Sequence, residues 1–400
     1  MRSLPRVALL IESSRTYGRG ILRGIARYAH ANGPWSVFLQ ERELHSGIPP
    51  WLTRWNGDGI IARIENNRMA TKLTRTGRPV VDVLGNNRLA DIPGFDSDAR
   101  ALAQLAADYF VRAGFRHFAF FGYRGIPFSD RREAAYATCL AKHGFSLKVF
   151  PSKPGRIPAM HIQALEQSGL AAGMAIADWL RKQPRPLAIF ACNDVCAQQV
   201  LNACREQGIK VPEEIAVMGV DNDDVLCNLC EPSLTSIEPD TERLGYEAAT
   251  QLDRMMRGRL VKAVITQIPP IRLHERGSTD VLPIDDPVVA QALRFIRSRL
   301  AKRVGVKDVL EQASRSRTDM ELRFRRWLKT SISKEITRQQ LDRAGRLLQQ
   351  TDLSLKEVAS RAGVANASHL CRLFRRRHNR TPTEFRGAVK TDNRIIKSDN

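Results

Sequence analysis

The sequence predicts an α/β region with parallel sheets, divided into two lobes, followed by an all-α domain that carries a helix-turn-helix. Two observations indicate this fold class. Short apolar runs alternate with amphipathic helical stretches through most of the chain, which is typical of α/β units around a parallel sheet. Nearer the C-terminus these runs disappear, and apolar residues recur only at helical spacing.

The α/β elements follow one another in a regular order. Strands are expected at 7–11, 36–39, 59–62, 80–84, 117–121, 145–150, 187–191 and 215–220, and helices at 18–31, 99–111, 131–143, 162–182, 195–207 and 243–257. So many units exceed one compact sheet, and we therefore expect two lobes. The expected domains are 1–280 and 289–388, joined by a polar, proline-bearing linker at 281–288 and followed by a flexible tail at 389–400.

The stretch 354–386 is the most informative part of the helical domain. Ser354 and Glu357 have the spacing of a capping box that starts a helix. Gly363 suits the left-handed backbone of a sharp turn, and Asn366 suits the N-cap of a second, basic helix. This order predicts a helix-turn-helix, whose second helix enters the major groove of DNA. The alternative is a solvated basic helix in an ordinary all-α subdomain.

The distribution of charge supports a nucleic-acid partner. The chain holds 63 basic and 42 acidic residues, a net charge of +21. Residues 285–400 contain 27 of the basic and 13 of the acidic residues, so the helical domain has the charge expected of a surface that binds a polyanion. No strongly apolar amphipathic or spanning segment accompanies this charge, which argues against a membrane partner.

Cysteine usage indicates the cellular setting. The seven cysteines are an odd number, which favours a reducing, cytoplasmic location, and no signal peptide is expected. Two cysteine pairs, 192/196 and 227/230, have spacings that resemble metal sites. Zinc needs about four ligands, however, and no histidine lies near either pair. We therefore expect structural thiols, no metal and no cofactor.

The end of the chain resembles a known family of DNA-binding domains. The segments 357–359, 374–376 and 381–386, together with Gly363, resemble the second half of an AraC/XylS-type domain. This resemblance covers about the last quarter of the chain and implies double-stranded DNA as a partner and a preceding helix-turn-helix at 306–328. The residues expected to face DNA are Arg317, Thr318, Glu321 and Arg325 in the first unit and Asn366, Ser368, His369, Arg372, Arg375 and Arg376 in the second.

The first unit departs from the family pattern at its turn. Ser314 stands where the family usually has glycine, and Arg315 stands where an apolar residue normally fills the turn. We therefore expect the first unit to be looser and to contribute mainly positioning contacts, whereas the second unit recognises bases more sharply. In the second unit, His369 and Arg372 are expected at base edges. Arg375 and Arg376 are expected at phosphate, which positions a protein without specifying sequence.

The α/β region resembles a second family. The segments 130–132, 191–194 and 218–223, in that order, resemble the LacI/GalR-type regulatory domain, which is similar to periplasmic sugar-binding proteins. The resemblance covers about 5–280 and implies a two-lobed, periplasmic-binding-protein-like fold. An AraC-type domain behind such a domain resembles the family of xylose-operon activators along the whole chain. This implies an effector that is xylose or another monosaccharide, a homodimer on operator half-sites and, for an activator, RNA polymerase.

Residues at strand ends are the expected sugar ligands. Asn193, Asp194 and Asp221 directly follow predicted strands, whose carboxyl ends face the ligand crevice in open α/β sheets. Carboxylates and arginines suit paired hydroxyls, and aromatic rings suit the face of a sugar. The alternatives are that Asp194 caps a helix, that Asp221 closes a turn and that the aromatic rings belong to the core. The family match implies that Arg132, Asp194 and Asp221 bind sugar hydroxyls. Asn193 either binds the sugar or braces the loop, and Tyr17 and Phe128 are the candidate stacking faces.

One other motif competes with this prediction. Gly18, Gly20 and Gly24 follow the first strand and open a helix, as in a dinucleotide-binding fingerprint. The third glycine is one residue late, and six residues separate the strand from Gly18. We therefore interpret these glycines as helix-to-sheet packing positions and as part of a loop near the crevice. No catalytic motif appears in the sequence. The prediction is a sugar-responsive transcriptional regulator, and the alternative is a sugar- or nucleotide-metabolising α/β enzyme with an accessory basic helical domain.

Overall fold

The computed structural model describes residues 4–40, 48–85, 92–151, 169–280 and 286–386. The chain divides into two compact units, Met1–Leu282 and Pro283–Asn400. The first unit contains all the β-strands of the described chain, and the second is all-α. We call them the effector domain and the helical domain. Within the described residues, no helix is long and apolar enough to cross a membrane.

Two six-stranded sheets form the two lobes of the effector domain. The first sheet has the order β11-β5-β4-β3-β1-β2, and its recorded strand pairs are parallel. Because β11 comes late in the chain, the chain returns from the second lobe to complete the first. The strands of this sheet are β1 (Arg6–Leu10), β2 (Ser36–Leu39), β3 (Gly59–Ala62), β4 (Val80–Asp82), β5 (Gly94–Ser97) and β11 (Ile265–Ile268).

The second sheet has the order β12-β10-β9-β8-β6-β7. Its recorded pairs are parallel except that between β10 and β12, which is antiparallel. The parallel sheets and the two lobes agree with the fold class that the sequence predicts. The strands of this sheet are β6 (His117–Phe121), β7 (Leu147–Val149), β8 (Leu187–Ala191), β9 (Ile215–Val220), β10 (Thr235–Pro239) and β12 (Pro270–His274).

Burial on both faces explains why the strongest strands are continuous apolar runs. In β1, Val7 and Leu9 belong to one buried cluster, and Ala8 and Leu10 belong to another on the opposite face. A parallel sheet covered by helices on both sides requires this, since successive side chains alternate between the faces. The sequence interpretation missed β5, β10 and β11 because these strands are short and carry polar residues.

Helices of the effector domain cover the sheets. The predicted helix at 162–182 lies partly outside the described residues, and the one predicted at 131–143 begins four residues earlier, at Pro127. Proline suits the first turn of a helix because the amide it lacks has no helical partner there. The helices are α1 (Thr16–Asn32), α2 (Asn67–Thr74), α3 (Ala99–Ala113), α4 (Pro127–Lys142), α5 (Gly169–Arg181), α6 (Asp194–Glu206), α7 (Asp224–Leu229) and α8 (Thr241–Met256).

The glycines that imitate a dinucleotide motif permit close packing of α1 against α8. A Cβ on Gly24 would lie 1.9 Å from the carbonyl oxygen of Glu242, and one on Gly245 would lie 2.0 Å from that of Ile21. These helices can approach so closely only because both carry glycine at the crossing. The packing at Gly24 is therefore helix to helix, and the predicted helix-to-sheet role was wrong there. Gly18 agrees with the predicted loop near the crevice, because a Cβ on it would lie 2.0 Å from the carbonyl oxygen of Glu12.

The helical domain contains two helix pairs joined by a long helix. Asp286 caps its first helix by accepting hydrogen bonds from the amides of Val288 (3.0 Å) and Val289 (3.2 Å). Pro287 and Val288 are therefore helical, whereas the predicted linker at 281–288 included them. Residues 281–285 and the predicted tail at 389–400 lie outside the described residues. The helices are α9 (Pro287–Arg299), α10 (Val306–Ala313), α11 (Arg317–Leu328), α12 (Ile332–Gln350), α13 (Leu355–Arg361) and α14 (Ala367–His378), with a further helix at 382–386.

Candidate functional site

A cleft lies between the two lobes of the effector domain, at the carboxyl ends of their strands. It holds about 500 Å³ of space that atoms do not fill, part of it open to solvent. Five of the six predicted sugar ligands line this cleft, and Asp194 does not. The first lobe contributes Glu12, Arg15, Tyr17, Arg63, Leu84 and Asp96 to the lining, and the second lobe contributes Phe128, Arg132, Asn193 and Asp221.

A buried ion pair forms one wall of the cleft. Glu12 is 3% exposed and follows β1, and its Oε1 accepts a hydrogen bond of 2.6 Å from Arg63, which follows β3. The second carboxylate oxygen of Glu12 and the Nε of Arg63 are buried and have no hydrogen-bond partner among the described residues. Buried polar groups are normally satisfied, so these two atoms are exceptions on residues that line the cleft.

A second acidic group of the first lobe is held by hydrogen bonds at the cleft. Asp96 is buried and accepts hydrogen bonds from Arg131 (2.7 Å) and from the amide of Ser97 (2.8 Å). Burial raises the pKa of the Asp96 carboxyl, although Arg131 opposes this shift. The hydroxyl of Tyr17 lies 2.8 Å from Oγ of Ser97, and burial raises the pKa of Tyr17 well above its ordinary value. Tyr17 is therefore a neutral, anchored ring.

Arg132 and Phe128 project into the cleft from the first turns of α4. They are four residues apart and so lie on one face of the helix. The guanidinium of Arg132 lies over the ring of Phe128, 5.4 Å from its centroid, and it also donates to the carbonyl of Cys192. Arg132 is only 5% exposed, so its remaining N–H groups have a fixed direction before any ligand arrives.

Asn193 and Asp221 complete the wall of the second lobe. Asn193 is the N-cap of α6, and its side chain accepts a hydrogen bond of 2.9 Å from the amide of Cys196. Asp221 follows β9 with a φ of 111°, and Asn222 has a φ of 48°, a region that side chains rarely adopt. This turn presents the half-buried carboxyl of Asp221 to the cleft, and burial raises its pKa.

The structure corrects the predicted role of Asp194. Its carboxylate accepts hydrogen bonds from the hydroxyl of Ser236 (2.6 Å) and the amide of Asp223 (2.9 Å), and the thiol of Cys227 lies 3.4 Å away. The hydrogen-bonding capacity of the Asp194 carboxylate is therefore used within the protein, and Asp194 is not among the residues that line the cleft. The alternative role, a cap for α6, is wrong as well, because Asn193 is the cap. Asp194 instead holds the turn that carries Asp221.

The sequence contained a signal for the residues that were missed. Glu12, Arg63 and Leu84 follow β1, β3 and β4 in the first sheet, just as Asn193 and Asp221 follow strands in the second. The strand-end rule therefore indicates cleft residues in both lobes. Among the described residues, no group of three potential ligands could hold a metal ion, although Sγ of Cys192 and Sγ of Cys196 lie 3.4 Å apart.

The second helix pair of the helical domain, α13 and α14, has the predicted caps. The hydroxyl of Ser354 accepts from the amide of Glu357 (3.3 Å), and Glu357 accepts from the amide of Ser354 (2.9 Å). Gly363 has a φ of 75°, and Asn366 accepts from the amide of His369 (2.8 Å). The helix-turn-helix geometry therefore follows from local hydrogen bonds.

The first pair, α10 and α11, is built in the same way with different residues. The amide of Gly305 donates to the carboxylate of Asp308 (2.7 Å), and Ser316 caps α11 by accepting from the amide of Asp319 (3.2 Å). Ser314 adopts the left-handed conformation with a φ of 49°. The turn therefore forms with serine in the place of the glycine that the family usually has there.

The second helix of each pair has a buried side and an exposed side. Most of the predicted DNA-facing residues are exposed, whereas Glu321 and His369 are half-buried and the side-chain oxygen of Asn366 serves as a cap. One carboxylate oxygen of Glu321 is buried, without a hydrogen-bond partner among the described residues. The exposed predicted residues are Arg317, Thr318 and Arg325 on α11 and Ser368, Arg372, Arg375 and Arg376 on α14.

These features define a class of protein. A two-lobed effector domain with a polar cleft is joined to a basic domain with two helix-turn-helix pairs, which is the organisation of a ligand-responsive DNA-binding regulator. Three family models match the chain in agreement with this class. They describe a XylR N-terminal domain at 6–94, a periplasmic binding protein-like domain at 107–279 and a helix-turn-helix domain at 309–388.

Similarity to known proteins extends over nearly the whole chain. The xylose operon regulatory protein of Haemophilus influenzae is 30% identical over 389 residues, 95% of this chain and 98% of that protein. The protein of the same name from Escherichia coli strain K12 is 28% identical, over 95% and 96% of the two chains. The solved structure of the xylose-binding transcription activator xylR matches with a TM-score of 0.76 and 27% identity, over 97% of this chain and 99% of that one.

The chain therefore belongs to the family of xylose operon regulatory proteins. It is a sugar-responsive transcriptional regulator and not an enzyme, as the sequence predicted. The periplasmic-binding-like fold followed by helix-turn-helix units is confirmed as well.

Proposed function

We propose that the cleft binds xylose, or another monosaccharide of similar size, and that this binding controls how the protein engages DNA. The observation that carries the proposal is that Glu12 and Arg63 line a cleft whose other wall holds Arg132 and Asp221, and that each of the two has a buried polar atom with no hydrogen-bond partner among the described residues. The relatives named above are regulators of xylose operons, which supports xylose as the first sugar to test.

The chemistry of the lining residues suits a neutral polyol. Carboxylate oxygens accept from sugar hydroxyls, and guanidinium groups donate to them, often in pairs. The cleft has three arginines and three carboxylates, so their formal charges balance. Tyr17 and Phe128 supply aromatic surface for the apolar face of a sugar ring. A charged sugar acid would upset this balance, which favours a neutral monosaccharide.

Because the lining residues come from both lobes, a bound sugar would bridge them and favour a closed arrangement. A ligand shifts such an equilibrium only by its difference in affinity for the two states. We propose that closure in a cytoplasmic homodimer lets both helical domains reach operator half-sites, and that RNA polymerase is the partner when the effect is activation. The helical domain, with its excess of basic residues, would supply the contacts to DNA.

Isothermal titration with xylose tests the site. Asp221→Ala and Arg132→Ala should each lower affinity at least tenfold, since a hydrogen bond to a charged group contributes about 1.5–3 kcal/mol. Asp178→Ala, which removes an exposed carboxylate on α5 that is paired with Arg181, is the matched control and should bind as the wild type does. Unchanged affinity in both cleft variants would remove the site assignment. If the wild type shows no heat with xylose, a thermal-shift screen of other pentoses and hexoses would identify the sugar.

A further inference from the structure

Leu322 is an exposed leucine in the middle of the outward face of α11. Its side chain is 61% exposed. The buried residues Met320 and Phe324 lie two positions before it and two positions after it. Residues two apart on a helix point away from each other, so Leu322 lies opposite the buried side. Its neighbours at helical spacing are Thr318 and Arg325, both exposed.

Comparison of the two helix pairs indicates a role for the position of Leu322. α11 and α14 match at a constant offset of 50 residues. Ser316 and Asn366 are the N-caps, and Phe324 and Phe374 are buried. Lys329 and Asn379 end the helices in the left-handed conformation, with φ values of 54° and 52°. At this offset Leu322 corresponds to Arg372, one of the residues that the sequence predicts at base edges.

We propose that Leu322 recognises the C5-methyl group of a thymine in the major groove, so that the first helix pair contributes sequence specificity through an apolar contact. The proposal rests on the proposed entry of α11 into DNA. Thymine is the base that presents an apolar group to the major groove, and its methyl is recognised by apolar side chains. Arginine at the same position of α14 would instead recognise guanine.

Charge supports DNA as the surface that covers Leu322. An isolated exposed leucine needs no explanation by itself, but this one is centred on a face that also carries Arg325 and Arg326, both exposed. The helical domain as a whole has the basic excess described above. A protein surface that covers Leu322 would also have to neutralise these arginines, whereas the phosphates on both sides of a major groove do so directly.

A thymine-to-uracil scan tests the contact, because uracil lacks only the C5-methyl group. The full-length chain first selects its preferred duplex from a random library. Each thymine of that duplex is then replaced by uracil, one at a time, and binding is measured. The wild type should lose about fourfold affinity at one or two positions, the value expected for one buried carbon. Leu322→Ala should bind the thymine and uracil duplexes equally at those positions.

Arg372→Ala is the matched control. It alters the corresponding position of the other helix pair, so it should keep the uracil sensitivity that Leu322→Ala loses. A further duplex carries cytosine in place of the sensitive thymine. Changing that cytosine to 5-methylcytosine should restore part of the lost binding for the wild type but not for Leu322→Ala. Because Leu322 is exposed, the wild type and Leu322→Ala should melt at the same temperature. Leu322→Met should retain the loss of affinity that uracil causes in the wild type.

Three results would overturn the proposal. In the first, Leu322→Ala retains the wild-type sensitivity to uracil. In the second, the wild type binds the selected duplex with no uracil-sensitive thymine. In the third, Leu322→Ala keeps every base preference but no longer activates transcription, which would place a protein partner on this leucine. Failure of the chain to select any duplex would instead refute the proposed entry of α11 into DNA, and the contact with it.

Discussion

The two helix pairs of the helical domain share one framework and differ in the side chains that they expose. Both second helices have a capping residue, two fully buried residues and a left-handed end at equivalent positions, for example Met320 and Leu370 in the two cores. The outward position holds Leu322 in one pair and Arg372 in the other. The comparison shows that buried and capping positions determine the fold of a pair, while exposed positions remain available for recognition.

The turns differ in a second way. In the second pair a Cβ on Gly363 would lie 1.8 Å from the carbonyl oxygen of Leu300, and the side chain of Gln340 donates to the carbonyl of Gly363 (2.8 Å). This turn is therefore packed against two other elements. In the first pair, Ser314 and Arg315 are exposed. The absence of glycine there, which the sequence marked as a weakness, is tolerated because the turn lies at the surface.

Substitutions at the two turn residues should produce the largest difference between the pairs, measured as a change in the free energy of unfolding. Gly363→Ala should lower the free energy of unfolding of the second pair by roughly 2–4 kcal/mol, because it combines a strained φ with a backbone clash. Ser314→Gly should stay within about 1 kcal/mol of the wild type, since relief of strain and added chain entropy offset each other. Amide hydrogen exchange in the full-length chain can follow each pair separately. Equal loss in both variants would contradict the structural difference between the turns.

Substitutions on the outward face of α14 should separate base recognition from phosphate contact. Arg372→Ala should remove about 1–3 kcal/mol of discrimination at one base pair, the value of a bidentate contact with guanine. Arg376→Ala should weaken binding evenly across sequences and lower the salt slope by roughly one unit. Site selection and salt titration on both variants distinguish the two effects. Should Arg376→Ala change the preferred base instead, the orientation of α14 in the groove would need to be reversed.

The smallest expected difference concerns pH. The ring of His378 packs against the rings of Phe374 and Phe385, with distances between ring centroids of 4.8 Å and 5.4 Å. Burial lowers the pKa of His378 below its ordinary value of 6.5, and the charge of Arg377 acts in the same direction while Asp342 opposes it. The unfolded chain then binds a proton more readily than the folded one.

The second pair should therefore be fully stable above about pH 6.5 and should lose stability as the pH falls below that value. The first pair, from α10 to α11, has no histidine and should not share this dependence. Hydrogen exchange at pH 7.5 and 5.5 measures both, and His378→Gln should remove the dependence of the second pair. Persistence of the effect in that variant would assign it to other groups.

The sequence by itself determined the features that depend on neighbouring residues. The capping box of Ser354 and Glu357 and the cap at Asn366 were predicted because each involves atoms three residues apart, whatever the rest of the fold does. The central strands were predicted for a similar reason, since burial on both faces requires a continuous apolar run. The strand-end rule correctly indicated that Asn193 and Asp221 lie at the cleft.

Only the tertiary structure decided which polar residues face the cleft and which are occupied behind it. Asp194 follows a strand just as Asp221 does, but Ser236, 42 residues away in the chain, takes up its carboxylate. Glu12 and Arg63 form their wall only because β1 and β3 are neighbours in the first sheet. Such contacts depend on strand order, which the pattern of single strands does not encode, and this is the physical reason why the cleft could be located from sequence but not fully described.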